Sequence, residues 1–210
     1  MCRLLETIKI SNGRCISLRY HQQRMDDSYR ELYGRANPFD LKKIIRPAAK
    51  DSFGVVKCKV VYSSDDYTIT FEKYQPRPIR SLKMVYDNSI DYHLKYADRS
   101  AINHLLEKKE NCDDILIIKN DLVTDISFAN IAFFDGTNWI TPGTPLLNGT
   151  KRQLLIDRKI IRTQNIRPND LKNFSGFRII NAMLDFDGQK IIPVDNIIES
   201  NRTNTSARDL

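Results

Sequence analysis

Lys95 lies in a short stretch of the sequence that could carry covalent chemistry. Its neighbours Leu94, Tyr96 and Ala97 are apolar or aromatic. Partial burial among such residues would lower the pKa of the amine, because a charged ammonium loses hydration there, and would favour the nucleophilic free base. On this spacing alone an ordinary surface lysine is the simpler interpretation, so other parts of the chain must distinguish the two.

Two other groups further along the chain could act together with such a lysine. Asp125 lies between the apolar runs at residues 115–118 and 131–134. Gly149, Thr150 and Lys151 open a predicted helix, and the free backbone N–H groups at a helix N-terminus bind anions. The sequence therefore offers an amine, a carboxylate and an anion site in a fixed order.

This order of groups resembles the class IV aminotransferases. That family includes branched-chain and D-amino acid aminotransferases and 4-amino-4-deoxychorismate lyase, and its members use pyridoxal phosphate. They carry a lysine separated by two residues from an Asn-Arg or Asp-Arg pair, as Lys95 is here from Asp98-Arg99. The resemblance covers residues 6–194, and the order of its elements is more specific than any one of them.

The resemblance implies a role for each group around the ring of the cofactor. Lys95 would form the Schiff base and act as the catalytic residue, Asp125 would pair with the ring nitrogen, and Leu147 would pack against the ring face. The family usually has glutamate where this chain has Asp125. Because aspartate is one methylene shorter, the ring sits closer, a water bridges the gap, or the electron sink is weaker. Asn130 would hold the loop in place.

The phosphate of the cofactor is expected to contact three segments, which lie around Arg24, at residues 149–151 and at residues 181–183. Arg24 lies in a His-x-x-Arg run whose His21 would orient the first helix, and an arginine fork suits a phosphate dianion. Thr150 and Lys151 replace residues that are more usual in the family, but backbone contacts at that turn survive such changes. Each signal alone is also compatible with a solvated base or a helix cap. The full set of cofactor-binding residues that the resemblance implies is Arg24, Lys95, Asp125, Leu147, Gly149, Thr150, Lys151, Asn181, Ala182 and Met183.

The composition of the chain is that of an ordinary globular protein. It has 210 residues, of which 41% are hydrophobic and 28% are charged, and a formal net charge of +7. The basic residues are interleaved with 26 acidic ones, so a solvated basic surface is expected rather than a nucleic-acid site. The four cysteines show no CxxC or metal-like spacing, which favours free thiols, no bound metal and a reducing compartment.

No targeting or membrane segment is predicted. No apolar run approaches the roughly 20 residues that a membrane span needs. Glu6 and Lys9 interrupt the apolar residues at the N-terminus, so a signal-peptide core is missing there. By elimination we expect the protein in the cytoplasm.

The first part of the chain is predicted to form a small α/β domain at residues 1–75. Strands at residues 4–10 and 15–18 would form a hairpin around Asn12-Gly13, whose residues accept positive φ angles. Helices at residues 21–33 and 39–49 and strands at residues 54–62 and 67–74 would follow. A Pro-rich break then separates this unit from the next.

The second part is predicted to be a larger, β-rich pseudo-barrel domain at residues 76–198. Helices are expected at residues 97–109 and 151–159, and the other periodic runs are strands. Residues 199–210 are expected to be a disordered tail. The predicted fold class is thus α/β (α+β), a two-domain class IV aminotransferase-like fold with the cofactor between the domains.

The sequence leaves three possible functions open: two reactions on an amino substrate, and one binding role. In the lyase reaction 4-amino-4-deoxychorismate loses pyruvate and becomes 4-aminobenzoate, a step in folate biosynthesis. In transamination a D-amino acid or a branched-chain L-amino acid becomes an oxo acid. The compact chain, without an obvious second motif for a substrate carboxylate, favours the lyase. A basic binding protein that lost the chemistry is the third alternative. The resemblance also implies a homodimer.

Overall fold

Three β-sheets form the framework of the protein in a computed structural model, which describes residues 2–47 and 54–199. Short helices and 3₁₀ turns connect and cover them. The elements in chain order are β1 (Leu4–Ser11), β2 (Arg14–Cys15), α1 (Leu18–Tyr33), α2 (Leu41–Ile44), β3 (Val55–Tyr62), β4 (Tyr67–Lys73), β5 (Leu82–Tyr86), α3 (Ser100–Leu106), β6 (Asp114–Lys119), β7 (Leu122–Ile126), β8 (Asn130–Phe134), β9 (Trp139–Pro142), α4 (Thr150–Asp157), β10 (Ile161–Gln164), β11 (Gly176–Ile180), β12 (Ile192–Pro193) and β13 (Ile197–Ile198).

The first sheet is antiparallel and has the strand order β2-β1-β3-β4. Because side chains alternate along a strand, Leu4, Ile8 and Ile10 of β1 share one face, and all three are fully buried. Helix α1 covers that face with Met25 and Tyr29, which are fully buried as well. The opposite face of the sheet is left to form the wall of a cavity.

The predicted strand at residues 15–18 is wrong beyond Cys15. Ser17 adopts the left-handed conformation with φ 55°, which turns the chain, and α1 then begins at Leu18. The end of this helix is as predicted, since Gly34 takes φ 69° and donates its N–H to Arg30 O at 2.9 Å.

The predicted helix at residues 39–49 is much shorter than expected. Helix α2 spans only Leu41–Ile44 and is capped by the Asp40 side chain, which accepts the N–H groups of Lys42 and Lys43. The chain becomes extended at Ile45, two residues before Pro47. The helix ends there because helical geometry is unfavourable for the residue before a proline. Residues 48 and 49 lie outside the described residues.

The other two sheets pack on each other, with orders β13-β5-β6-β7 and β10-β9-β8-β11-β12. Leu116 and Ile118 of β6 face the core between them, while Ile115 and Ile117 face a second core that is covered by α3. Strand β6 is therefore buried on both faces, which explains its continuous apolar run. Together the sheets and helices confirm the predicted α/β (α+β) class.

A β-bulge interrupts the pairing of β6 with β7. The register shifts between Leu116 and Ile118, so that Thr124 and Asp125 of β7 lie opposite the single residue Ile117. Such bulges redirect a side chain relative to regular alternation. Here the bulge includes Asp125, the predicted partner of the ring nitrogen.

The first sheet ends at Lys73, and the division into domains at residues 1–75 and 76–198 remains a prediction. The tail predicted at residues 199–210 lies outside the described residues except for Glu199. Within residues 2–47 and 54–199, the helices are too short or too polar to cross a membrane.

Candidate active site

A cavity of about 400 Å³ lies against the open face of the first sheet. This volume is within the range of small-molecule sites. Every site residue predicted from the sequence lines it: Arg24, Lys95, Asp125, Leu147, Gly149, Thr150, Lys151, Asn181, Ala182 and Met183. The structure therefore brings together residues from five separate segments of the chain.

Backbone pairing with β1 holds Lys95 at the cavity. The N–H of Leu5 donates to Lys95 O at 2.8 Å, and Leu4 forms an antiparallel bridge with Tyr96. The segment around Lys95 thus extends the first sheet on the side of β1 away from β3. Lys95 lies opposite Leu5, and because both residues line the cavity their side chains share that face.

The amine of Lys95 is prepared for nucleophilic chemistry. Burial lowers its pKa from the ordinary 10.5 to about 8, and the positive charge of Arg24 acts in the same direction. Within residues 2–47 and 54–199, Nζ makes no hydrogen bond and no ion pair. About a tenth of such amines are neutral at pH 7, compared with about one in 3,000 ordinary lysines.

The carboxylate of Asp125 is buried, with 5% of the residue exposed, and is held by two donors. Asn130 Nδ2 donates to Oδ1 at 2.7 Å, and the N–H of Leu147 donates to Oδ2 at 3.0 Å. Burial raises the pKa of Asp125 to about 6, although both hydrogen bonds oppose this shift. A cation in the cavity would lower that pKa and keep the carboxylate ionised.

Gly149 and Asn130 fix the distance between the acid and the anion site. Asn130 Nδ2 also donates to Leu147 O at 2.8 Å, so one amide connects β8 with the loop before α4. A Cβ atom at Gly149 would collide with Oδ1 of Asn130. The absence of a side chain at Gly149 is therefore required for Asn130 to hold Asp125. The structural role expected for Asn130 includes this contact.

Arg24 is held by Glu6, which is not among the predicted site residues. Glu6 accepts Nε of Arg24 at 2.8 Å and Nη2 at 2.7 Å, and Nδ1 of His21 lies 2.6 Å from the same carboxylate. Burial raises the pKa of Glu6, but the charge of Arg24 and the hydrogen bond from His21 outweigh it and hold the pKa at about 2. The alternation of β1 indicates that Glu6 is a buried acid, since it lies between Leu4 and Ile8 on the buried face, but it does not identify the partners of Glu6.

His21 connects this charge cluster to helix α4. Its Nε2 lies 3.4 Å from the hydroxyl of Thr150, the first residue of α4. Burial lowers the pKa of His21, although Glu6 acts in the opposite direction, so the ring is neutral at pH 7. Neutral His21 donates through Nδ1 to Glu6 and accepts through Nε2 from Thr150. The small sheet and the anion site are joined through one imidazole.

The start of α4 offers donors and positive charge to an anion. The first N–H groups of a helix have no partners within the helix. Lys151 lines the cavity beside them, and burial lowers its pKa while the charge of Asp185 raises it. Arg152 is engaged elsewhere, because its guanidinium donates to Asn148 Oδ1 at 3.1 Å and to Pro142 O at 2.8 Å.

A second turn contributes to the cavity after β11. Oδ1 of Asn181 accepts the N–H groups of Met183 at 2.9 Å and Leu184 at 3.1 Å. Asn181, Ala182 and Met183 all line the cavity at this turn. Leu147 also lines it, and its side chain packs on the core below α3. These four residues therefore line the cavity, while their contacts with a cofactor remain predictions.

The chain is similar in sequence and in fold to known proteins. A model of the class IV aminotransferase family matches residues 3–197. An uncharacterized protein of Haemophilus influenzae (strain Rd) is 38% identical over 185 residues, which cover 87% of this chain and 98% of that protein. The crystal structure of a candidate 4-amino-4-deoxychorismate lyase from Haemophilus somnus 129pt is 40% identical, with a TM-score of 0.81 over 87% of this chain and 97% of the other.

The pyridoxal phosphate-bound form of a hypothetical aminotransferase from Mycobacterium tuberculosis shares the fold, with a TM-score of 0.69 at 16% identity over 86% of this chain and 78% of the other. The residues of this chain fit such a cofactor. The amine of Lys95 has no hydrogen-bond or ion-pair partner among the described residues, Asp125 is a held carboxylate, and Gly149 leaves space for the Asn130 amide that holds it. By its sequence and its fold, the chain belongs to the class IV aminotransferases, a family of pyridoxal phosphate-dependent enzymes.

Proposed function

We propose that this enzyme is a 4-amino-4-deoxychorismate lyase, which releases pyruvate and forms 4-aminobenzoate. The observation that carries the proposal is the amine of Lys95, whose pKa of about 8 suits proton transfer, in one cavity with Asp125. The choice of the lyase is supported by the 40% identity to the candidate lyase of Haemophilus somnus 129pt.

Lys95 would first bind the cofactor covalently and then move a proton. Bound pyridoxal phosphate supplies an electron sink for the carbon that carries the substrate amine. Nζ of Lys95 would take the ring proton at that carbon and deliver it to the departing enolpyruvate, which becomes pyruvate. Loss of pyruvate then makes the ring aromatic, which is the driving force of the reaction.

Asp125 would keep the ring nitrogen of the cofactor protonated. An ionised carboxylate facing that nitrogen favours its charged form, and a charged ring accepts electrons better. The two donors from Asn130 and Leu147 fix the carboxylate, which is one methylene shorter than the glutamate usual in the family. Asp125 lies in the β-bulge of β7, and such bulges redirect a side chain relative to regular alternation.

The phosphate would be held between α1 and α4. Arg24 presents a guanidinium that Glu6 fixes on one edge, and Nη1 on the other edge lies 3.5 Å from Asn148 O. The backbone N–H of Thr150 and the ammonium of Lys151 would complete the set. The turn at residues 181–183 would close the site from β11.

The alternative is an aminotransferase, because the same Lys95 could move a proton from the α-carbon of an amino acid to the cofactor. The neighbours of lower identity show the shared fold and do not separate the two reactions.

The test is product analysis on the purified protein that has been loaded with pyridoxal phosphate. The lyase proposal predicts equimolar pyruvate and 4-aminobenzoate from 4-amino-4-deoxychorismate, with no oxo acid formed from D- or L-amino acids. Lys95→Ala should abolish both products, while the control Lys73→Ala, an exposed lysine outside the cavity, should keep them. If an oxo acid forms from an amino acid and no pyruvate is released from 4-amino-4-deoxychorismate, the enzyme is an aminotransferase and not a lyase.

The proposal includes a cytoplasmic homodimer that supplies folate biosynthesis. Light scattering after size-exclusion chromatography measures the mass of the assembly, and a value near one chain would contradict the dimer.

A further inference from the structure

The wall that the first sheet contributes to the cavity carries a second set of polar residues. Leu5 and Thr7 of β1 and Lys57, Lys59 and Val61 of β3 line the cavity. In the register of the two strands, Thr7 lies directly opposite Lys59, and Leu5 opposite Val61. The hydroxyl of Thr7 and the ammonium of Lys59 are therefore neighbours on one face.

Lys59 differs from the lysines beside it on this face. Nζ of Lys57 lies 2.7 Å from Glu72, and Nζ of Lys9 lies 2.7 Å from Asp185, so both are paired. Within the described ranges 2–47 and 54–199, neither Lys59 Nζ nor Thr7 Oγ1 has a hydrogen bond or an ion pair. Two adjacent donors thus face the cavity without an acceptor.

The charges around the cavity leave room for an anion besides a phosphate. Glu6 neutralises Arg24 and Glu72 neutralises Lys57, and in the proposed function Asp125 would be balanced by the protonated ring nitrogen of the cofactor. With Lys95 attached to the cofactor, Lys59, Arg99 and Lys151 remain, and a phosphate dianion balances two of these three charges. The six cationic residues that line the cavity are Arg24, Lys57, Lys59, Lys95, Arg99 and Lys151.

The sheet also sets the distance between Lys59 and Lys95. Lys95 lies opposite Leu5 on one side of β1. Lys59 lies on β3, on the other side of β1, and is opposite Thr7, two residues after Leu5. With strands about 4.8 Å apart and about 3.4 Å per residue, their backbones are about 12 Å apart. Both side chains share one face, so an amine at Lys95 and a carboxylate at Lys59 could belong to one ring-sized molecule.

We infer that Lys59, together with Thr7, binds a carboxylate of the substrate. The substrate class is an amine that carries a carboxylate across a ring from the amino group. This inference rests on the proposed function and names a specificity-determining residue for it. The sequence showed no motif for a substrate carboxylate, because the pair forms only when β1 and β3 align residues that are 52 positions apart.

The test compares two probes that differ only in the carboxylate. Binding of 4-aminobenzoate and of aniline is measured by calorimetry on the protein with and without pyridoxal phosphate. The wild type should bind 4-aminobenzoate about 10-fold more tightly, the usual effect of a hydrogen bond to a charged group. Lys59→Gln should remove most of this preference, Thr7→Val a smaller part, and Lys59→Arg should retain it.

Lys73→Gln is the matched control, because it removes the same charge from an exposed position of β4 outside the cavity. It should leave the preference unchanged. Equal binding of the two probes by the wild type, or an unchanged preference in Lys59→Gln, would overturn the inference. A protein that cannot be loaded with pyridoxal phosphate would instead count against the proposed function, since the preference is also measured without the cofactor.

Discussion

The carboxylate of Glu6 and the guanidinium of Arg24 form a two-pronged ion pair, with Nε to Oε1 at 2.8 Å and Nη2 to Oε2 at 2.7 Å. Glu6 lies on the buried face of β1, and Arg24 lies in α1, which covers that face. The pair fixes the plane of the guanidinium and directs Nη1 of Arg24 toward the backbone oxygen of Asn148. A residue without access to the cavity thus positions one that lines it.

Replacing Glu6 by glutamine should destabilise the protein and weaken cofactor binding. Arg24 and His21 would each lose a charged acceptor, and removal of one partner of a buried ion pair costs about 3 kcal/mol. Urea unfolding at pH 7 measures this loss, and titration with pyridoxal phosphate measures the affinity. Asp27→Asn, which breaks the exposed pair of Asp27 with Arg30, is the control and should change neither quantity appreciably. Equal effects of the two variants would contradict the positioning role.

The same pair should make stability depend on acid. The pKa of Glu6 in the folded protein, about 2, lies below its ordinary value of 4.5, so its contribution is present above pH 4.5 and is lost as the pH falls toward 2. Between pH 6 and pH 3 the wild type should lose about 2 kcal/mol that Glu6→Gln does not lose. The measurement is the free energy of unfolding in urea for both proteins at each pH. Parallel losses in the two proteins would show that Glu6 does not carry this dependence.

Gly149→Ala should weaken pyridoxal phosphate binding and slow turnover. The added Cβ would displace the Asn130 amide, which then could not hold Asp125. The affinity should fall about 10-fold, a typical cost when a charged group loses a hydrogen bond. Gly188→Ala is the matched control, since its Cβ would meet no atom within 4 Å. An affinity of Gly149→Ala equal to that of the control would show that the loop adjusts without cost.

Asp125→Asn should slow pyruvate release by about 100-fold, because a neutral amide cannot keep the ring nitrogen protonated, and lost electrostatic partners have effects of this size. Asp125→Glu restores the residue usual in the family and should retain much more activity. Steady-state rates with 4-amino-4-deoxychorismate compare the three proteins. Full activity in Asp125→Asn would exclude Asp125 as the partner of the ring nitrogen.

Capture of pyridoxal phosphate by the cofactor-free protein should accelerate as the pH rises. Only the neutral amine of Lys95 attacks the aldehyde, and its pKa of about 8 lies well below the ordinary 10.5. The rate, followed by stopped-flow absorbance, should have its midpoint near pH 8. A midpoint near pH 10 would mean that Lys95 behaves as an ordinary surface lysine.

The candidate site could be predicted from the sequence only through the order of several short runs. Lys95, Asp125 and Gly149 are each ambiguous alone, and the order in which they occur carries the resemblance to the family. The predicted strands at the centre of the large sheets follow from apolar runs such as that of β6, which needs burial on both faces. Such an apolar run lies within one element and can be seen in the sequence.

Features that depend on distant partners could not be predicted in this way. The role of Glu6 depends on its contacts with His21 and Arg24, which are 15 and 18 residues away in another element. The bulge at Asp125 arises from the register with β6, and the start of α1 from the left-handed Ser17. The period of the hydrophobic pattern gives neither the register between two strands nor the position of a single left-handed residue. These features therefore appear only in the folded chain.

The most direct test of the account is the site at which the cofactor is attached. The protein is loaded with pyridoxal phosphate, the link is reduced with borohydride, and the peptides are analysed by mass spectrometry. The account predicts a single pyridoxyl modification on Lys95, which is absent from Lys95→Ala. Modification of other lysines, such as Lys57, Lys59 or Lys151, with Lys95 unmodified would contradict it.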